Sequence, residues 1–253
     1  MRLEIIRAIV TGAASGLGRA FAYELVSAGA HVVAGDIDED GLGNLADQCR
    51  AAAGKLNVVK LDVTNEASVV ACVAEASQRM GGVNLLVNSA GILRDGFLVT
   101  EDAGRVRKLP TAQWRQVLDV NLTGPYLMSR EVIAEMVKRK IRNGVVVNIS
   151  SISHAGNPGQ SNYSASKAGL DACTRTWALE LAHYGIRVGA IAPGLVDTPI
   201  LERISDQARS ALVESIPLQR IGTPDEIWLA LKFVIECDYF TGRVIEVDGG
   251  ANF

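Results

Sequence analysis

Tyr163 and Lys167 stand four positions apart in the stretch QSNYSASKAG, residues 160–169. On a helix that spacing is about one turn, so phenol and ammonium would share a face. A free phenol titrates near ~10 and a lysine near ~10.4, so neither alone is an acid or base suited to neutral pH. Together they can be. An ammonium ~4 Å from a phenolate contributes about 4 kcal/mol at an effective dielectric of about 20. Lowering a phenol by roughly 2–3 units takes ~3–4 kcal/mol, so such a pair can work as a proton donor and acceptor. In isolation the same spacing also describes an exposed helix pair with no chemical role, and the context decides between the two.

That context begins with a second motif. VTGAASGLGRA, residues 10–20, follows an apolar run and opens a helical pattern, with Gly12, Gly16 and Gly18 spaced G-x-x-x-G-x-G. Gly12 lets the chain turn sharply off a strand. Gly16 and Gly18 remove side chains where a pyrophosphate would approach backbone N–H groups at a helix N-terminus. Asp36 ends the next apolar run, about 20 residues after the glycine turn, where a carboxylate can accept both ribose hydroxyls and repel a 2′-phosphate. No Arg or Lys lies in 11–17 or 34–40 to welcome that phosphate, which argues for NAD over NADP. Asp36 could otherwise cap the following helix.

The elements that must hold these residues alternate along the chain. Short β-branched runs recur at 8–10, 31–36, 57–63, 84–88, 144–150, 186–192 and 243–247, several of them apolar throughout, as in strands covered on both faces. Between them lie helical patterns at 17–29, at 64–81 with a cap at Thr64 or Asn65, and at 223–236 with a Thr-Pro-Asp-Glu start. The expectation is a single α/β domain over 1–253: a doubly wound, seven-stranded parallel sheet of the Rossmann type with helices on both faces. The 253 residues are 48% hydrophobic and 21% charged, enough to fill one large core. Net charge is −3 with the signs interspersed, which excludes a nucleic-acid stripe or a polybasic membrane patch; the basic run at 138–144 reads as a solvated helix end. No stretch reaches ~18 uninterrupted apolar residues, and the N-terminus reads as a strand instead of a signal peptide, so a cytoplasmic location is expected. The four cysteines show no C-x-x-C or metal spacing, and reduced, mostly buried thiols with no metal site are expected.

Over essentially its whole length the chain resembles the short-chain dehydrogenase/reductase family, in particular its 3-oxoacyl-reductase-like branch. The family's T-G-x-x-x-G-x-G stands as Thr11–Gly18, its Asp-Val as Asp62-Val63, and its N-N-A-G as Asn88–Gly91 with Ser89 in place of the second Asn. Its helical Asn matches Asn121, its Y-x-x-x-K matches Tyr163 and Lys167, and its P-G matches Pro193-Gly194. The resemblance implies hydride transfer between a nicotinamide and a carbinol carbon, with Tyr163 moving the proton. Lys167 would lower the phenol and bond the nicotinamide ribose, and Asn121 would hold a proton-relaying water. It implies dinucleotide contacts from Gly12, Ser15, Gly16, Leu17 and Gly18 at the turn, Asp36 and Ile37 at the ribose, and Asp62 and Val63 at the adenine. Asn88, Ala90, Gly91, Tyr163, Lys167, Pro193 and Gly194 complete that set, with Val196 and Thr198 at the carboxamide.

The family also supplies a Ser at the end of the fifth strand, and here two compete. Counting back thirteen residues from Tyr163 gives Ser150; keeping GVVVNISS in strand register gives Ser151 and a loop one residue shorter. Adjacent strand residues face opposite ways, and a deletion fits a loop better than a buried strand, which favours Ser151. His154, just beyond, either borders substrate or is a polar loop residue, while His31 and His183 read as structural.

Residues 195–217 match the family's mobile substrate lid. The polar stretch 98–114 is longer than usual and either rims the pocket or forms a surface hairpin. Basic residues that dock a carrier protein in the 3-oxoacyl branch are replaced by Leu127 and Tyr184. With Asp36, this points to an NAD(H)-dependent oxidoreductase acting on CH–OH groups, with a small secondary alcohol or ketone, a 3-hydroxyacyl thioester or similar as substrate. The alternatives are an NADPH-dependent 3-oxoacyl-thioester reductase and a non-catalytic dinucleotide-binding regulator. The resemblance also implies a homo-oligomer, tetramer or dimer, built on the helices near 112–138 and 162–184 and on the last strand; Trp177, Leu181 and Phe253 suit either an interface or the core.

Overall fold

The computed structural model describes residues 1–199 and 212–251. In chain order the strands are β1 (Arg7–Thr11), β2 (His31–Asp36), β3 (Lys55–Lys60), β4 (Leu85–Asn88), β5 (Val99–Asp102), β6 (Arg105–Lys108), β7 (Gly144–Ile149), β8 (Ile186–Pro193) and β9 (Val244–Val247). Seven form one sheet in the order β3-β2-β1-β4-β7-β8-β9, with every neighbouring pair parallel. The order reverses between β1 and β4, which opens a crevice beyond the strands' C-terminal ends. The expected single doubly wound domain is therefore what the chain forms. β3 begins two residues earlier than its apolar run and stops at Lys60, leaving Asp62 and Val63 in the crevice-side turn.

Successive strand residues feed two cores. Ala8, Val10, Leu85, Val87, Val145 and Val147 pack on one face. Ile9, Leu86 and Val146 pack on the other. Each such Val or Leu contributes about 1.5–3 kcal/mol by leaving water, and this two-sided burial is why the runs lack polar alternation. The first face is covered by α1 (Gly16–Ser27), α2 (Glu39–Gln48) and, later in the chain, a C-terminal helix. The second is covered by α3 (Glu66–Met80), α5 (Gly124–Lys138) and α6 (Ser161–Leu181), with α4 (Thr111–Leu118) leading into α5. The C-terminal helix is α7 (Pro224–Glu236), started by a capping box in which Thr223 and Glu226 satisfy each other's backbone N–H groups. Asn65, and not Thr64, caps α3 by accepting from Ser68 N. Trp177 and Leu181 pack against the second core, whereas Phe253 lies outside the described residues.

Two features depart from a plain reading of the pattern. The helix expected over 112–138 is interrupted by a π turn at Asp119–Thr123, which carries Asn121. The stretch 98–114 contains an antiparallel β5–β6 hairpin with every strand residue exposed, and Ala103 and Gly104 both adopt positive φ at its tip. Its base is tied to the approach to α6: Gly96 N donates to Gly159 O, and Asn162 Nδ2 donates to Arg94 O. Among the described residues no helix is long and apolar enough to cross a membrane, and no His/Cys/Asp/Glu cluster could hold a metal. Cys49 and Cys72 are buried, and burial raises the Cys72 thiol to about 12.

Candidate active site

The crevice is walled on one side by backbone. Gly12 leaves β1 with φ +67°, and a Cβ there would lie 2.7 Å from Ala90 Cα. A Cβ on Gly18 would lie 2.1 Å from Gly12 O, so only glycine lets α1 start this close to the turn. Ser15 stands at the N-cap position with an exposed side chain that makes no cap bond, followed by Gly16 and the half-buried Leu17. The first N–H groups of α1 thus face the crevice with the positive end of its dipole. Thr11 Oγ1 accepts from Ser89 N and Ala90 N, both at 3.1 Å, and fastens the Asn88–Gly91 turn to the glycine turn. Ser89 takes part in this fastening through its backbone N–H, which any residue there would supply.

At the end of β2, Asp36 accepts from Ala14 N at 3.0 Å and from Asp38 N at 3.1 Å. It does not cap α2; Asp38 does, by accepting from Gly41 N. The Asp36 carboxylate therefore hangs over the glycine turn, with exposed Ile37 beside it. Asp62 accepts from Thr64 N and Thr64 Oγ1, and buried Val63 touches Gly124 at the start of α5.

The opposite wall is made of side chains. Tyr163, Lys167 and Asp171 lie at i, i+4 and i+8 along α6. Ser151 Oγ accepts from Ser153 N at 3.2 Å, opening a 3₁₀ turn over Ile152–Ala155, and its hydroxyl lies close enough to the Tyr163 phenol to pull the phenol's pKa down. Ser150 points into the interior instead, buried and with no partner for its Oγ among the described residues. Strand register thus brings Ser151, and not Ser150, to the tyrosine. Lys167 is buried, donates to Ile149 O at 2.7 Å, and lies 5.5 Å from the Tyr163 ring centroid. Asn121 spans to Ile92, accepting from its N–H at 2.8 Å and donating to its carbonyl at 2.9 Å. A Cβ on Gly91 would lie 3.5 Å from Asn121 Oδ1 and 3.8 Å from Lys167 Nζ, so these groups converge on one point.

The electrostatics differ from the simple ion–phenol expectation. In the protein alone burial pushes Tyr163 up; the Ser151 bond pulls it back and the Asp95 charge adds to the rise. Burial brings Lys167 down to about 8, opposed by the charge of Asp171. The phenol is thus held protonated at neutral pH, ready to donate. Part of Tyr163 remains open to the crevice, where a substrate oxygen would meet it.

The far end is closed by β8. Gly194 N donates to Val247 O at 2.9 Å just after Pro193, and buried Val196 bridges to Gly222. The Thr198 side chain lies 3.9 Å from where a Gly16 Cβ would stand, so both ends of the crevice meet over the glycine turn. Of the segment expected as a lid, residues 200–211 lie outside the described residues. Leu127 is 7% exposed and belongs to the second core, so its lack of charge says nothing about a docking surface. The pair His154–Asp171 was not among the expected site residues; Asp171 was recognisable only as the next residue on the Tyr163/Lys167 face.

Residues 12–252 match the family model described as enoyl-(acyl carrier protein) reductase. The chain is 41% identical over 253 residues to the 3-oxoacyl-(acyl-carrier-protein) reductase FabG of Thermotoga maritima, covering 99% of both. It is 36% identical over 245 residues to BbsD of Thauera aromatica, a hydroxy(phenyl)methylsuccinyl-CoA dehydrogenase subunit, covering 96% of this chain and 95% of that one. Among solved structures, a short-chain type dehydrogenase/reductase from Mycobacterium marinum superimposes with a TM-score of 0.90 at 28% identity, covering 98% of this chain and 97% of the other.

Proposed function

The chain belongs to the short-chain dehydrogenase/reductase family of oxidoreductases, and from that premise we propose that it interconverts 3-oxoacyl and 3-hydroxyacyl thioesters with NAD(H). The observation that carries the chemistry is the Tyr163–Lys167 pair on one face of α6, with the buried ammonium 5.5 Å from the phenol ring centroid and anchored on Ile149 O. The thioester is favoured over a simple secondary alcohol because FabG and BbsD are both named for acyl groups on a thioester carrier. The names do not speak for NAD. That preference rests on Asp36, whose carboxylate overhangs the glycine turn with no Lys or Arg in 34–40.

The crevice fits a dinucleotide: a glycine cradle that a Cβ would fill, a helix N-terminus with no side-chain cap and a carboxylate overhanging the glycine turn. Gly12, Ser15, Gly16, Leu17 and Gly18 would hold the pyrophosphate, and Asp36 and Ile37 the adenosine ribose. Asp62 and Val63 would flank the adenine. Asn88, Ala90, Gly91, Pro193 and Gly194 would line the path to Val196 and Thr198 at the nicotinamide end. When bound, the nicotinamide supplies or accepts the hydride. In the reductive direction Tyr163 gives its proton to the carbonyl oxygen as that oxygen gains charge, and Ser151 donates a hydrogen bond to the same oxygen. Lys167, charged below about 8, stabilises the phenolate left behind, and a water held at Asn121 restores the proton. Because burial keeps Tyr163 protonated, the protein alone holds the proton that the reductive step consumes.

Exposed Tyr126 and Leu179 on α5 and α6 support a homo-oligomer, tetramer or dimer. The functional test is kcat/KM for acetoacetyl thioesters on coenzyme A and on carrier protein against simple ketones, each with NADH and NADPH. The proposal expects thioesters and NADH to lead. A clear NADPH preference would overturn the Asp36 argument, and a lead for simple ketones would overturn the thioester.

A further inference from the structure

The segment leaving β7 is stitched to α6 at three successive helical turns. Ser151 meets Tyr163, Ile149 O accepts from Lys167 Nζ, and His154 Nδ1 donates to Asp171 Oδ2. The first two ties belong to the chemistry already described. The third has no part in it, yet it is costly. Asp171 is 3% exposed and its Oδ1 has no partner among the described residues. A buried carboxylate with an unsatisfied oxygen destabilises the fold unless a nearby positive or donating group compensates. His154 is that group. Its side chain is 17% exposed, and its other nitrogen, Nε2, lies 3.3 Å from Glu246 Oε1 on β9. The imidazole therefore bridges α6 to the edge strand while sitting in the turn that Ser151 opens.

We propose that His154 and Asp171 form a positioning pair that fixes the Ser151 turn in register with Tyr163 and keeps the carboxylate charge beside Lys167. Ser151 and His154 are the two ends of one short turn, so clamping the second to α6 sets how the first meets the phenol. Within the turn the ties are local: Ser151 Oγ accepts from Ser153 N, Ser151 O from His154 N and Ser153 O from Gly156 N, and none of these bonds reaches α6. A displacement of about 1 Å at a reacting group can cost on the order of 100-fold in rate. The second role is electrostatic. Among the described residues, the charged or polar groups recorded against Lys167 are Tyr163 and Asp171 on its own helix, Ile149 O from β7 and Asn121 across Gly91. Of these Asp171 alone is a carboxylate, and its charge opposes the loss of the lysine proton. Around His154 the facing groups are Asp171 and Glu246.

The inference rests on the oxidoreductase reading for its rate measurements, so it is tested with a second readout that needs no turnover. His154→Ala should lower kcat roughly tenfold while KM and dinucleotide affinity stay within about twofold, and His154→Asn, which keeps a donor toward Asp171, should recover much of the loss. Asp171→Asn keeps the shape but not the charge. It should move both the alkaline fall in kcat and the Lys167 titration, followed by NMR of 13C-labelled lysine, to lower pH. A structural role alone would lower thermal stability and leave both titrations in place. Unchanged kcat in His154→Ala, or an unmoved Lys167 titration in Asp171→Asn, overturns the proposal. If the wild type turns over none of the substrates, the functional reading fails and the Lys167 titration still decides the pair's role.

Discussion

On the α1 side of the crevice the chain presents backbone; on the α6 side it presents side chains. The glycine turn is held by main-chain approach, with Gly18 against Gly12 O and Thr11 Oγ1 accepting from two amides. Side chains enter there as fasteners of backbone amides, the Thr11 hydroxyl and the Asp36 carboxylate. Across the crevice every relevant group is a side-chain terminus, and three of them are tied to one segment leaving β7. A wall of backbone suits a ligand held the same way throughout a catalytic cycle. A wall of side chains suits proton transfer, because there a pKa can be set by burial and neighbours.

The contrast is broken most severely at Tyr163. Tyr163→Phe should reduce kcat by about 1,000-fold while dinucleotide affinity, measured by nicotinamide fluorescence, stays within about threefold; retained turnover would remove the tyrosine from the chemistry. The two serines sharpen it next. Ser151→Ala should cost roughly 100-fold in kcat, whereas Ser150→Ala removes a buried hydroxyl with no partner and should leave kcat within about twofold. Equal losses would mean that both hydroxyls serve the site.

The third effect is a pH dependence of stability. The unfolded lysine titrates near ~10.4 and the folded Lys167 at about 8, so between those values the unfolded chain binds more protons. Stability attributable to Lys167 therefore rises with pH through that window, by at most about 3 kcal/mol. Urea unfolding of wild type against Lys167→Met should show the rise in the first and not in the second. The smallest effect lies at the exposed hairpin. Ala103 sits at φ +49°, so Ala103→Gly should slow hydrogen exchange of the β5–β6 amides and stabilise the hairpin by about 0.5 kcal/mol.

The same division governs what could be read from the sequence. The backbone wall was legible because its demands are local: glycines at fixed spacing after an apolar run, then an Asp at the end of the next. Seven apolar runs alternating with helical patterns likewise specify the sheet, since both faces of each strand are buried. The side-chain wall was legible at Tyr163 and Lys167, whose helical spacing puts them on one face. It was ambiguous at Ser150 and Ser151, because strand alternation reverses with one residue and the interval to Tyr163 is one residue short of the family's usual one. The π turn left no residue signature. Leu127 lies beyond that turn, so its face does not follow from 3.6-residue spacing, and it proved to be core. His154 and Asp171 are seventeen residues apart, and only the close packing of the Ser151 turn on α6 joins them.

The central claim is that this crevice transfers hydride, and does not merely hold a dinucleotide. It is tested most directly by incubating the protein with reduced dinucleotide deuterated on the nicotinamide ring and an acetoacetyl thioester, then locating the label. The account predicts deuterium on C3 of a single enantiomer of the 3-hydroxyacyl product. Bound dinucleotide with no label in the thioester, under conditions where the protein is folded, would contradict it.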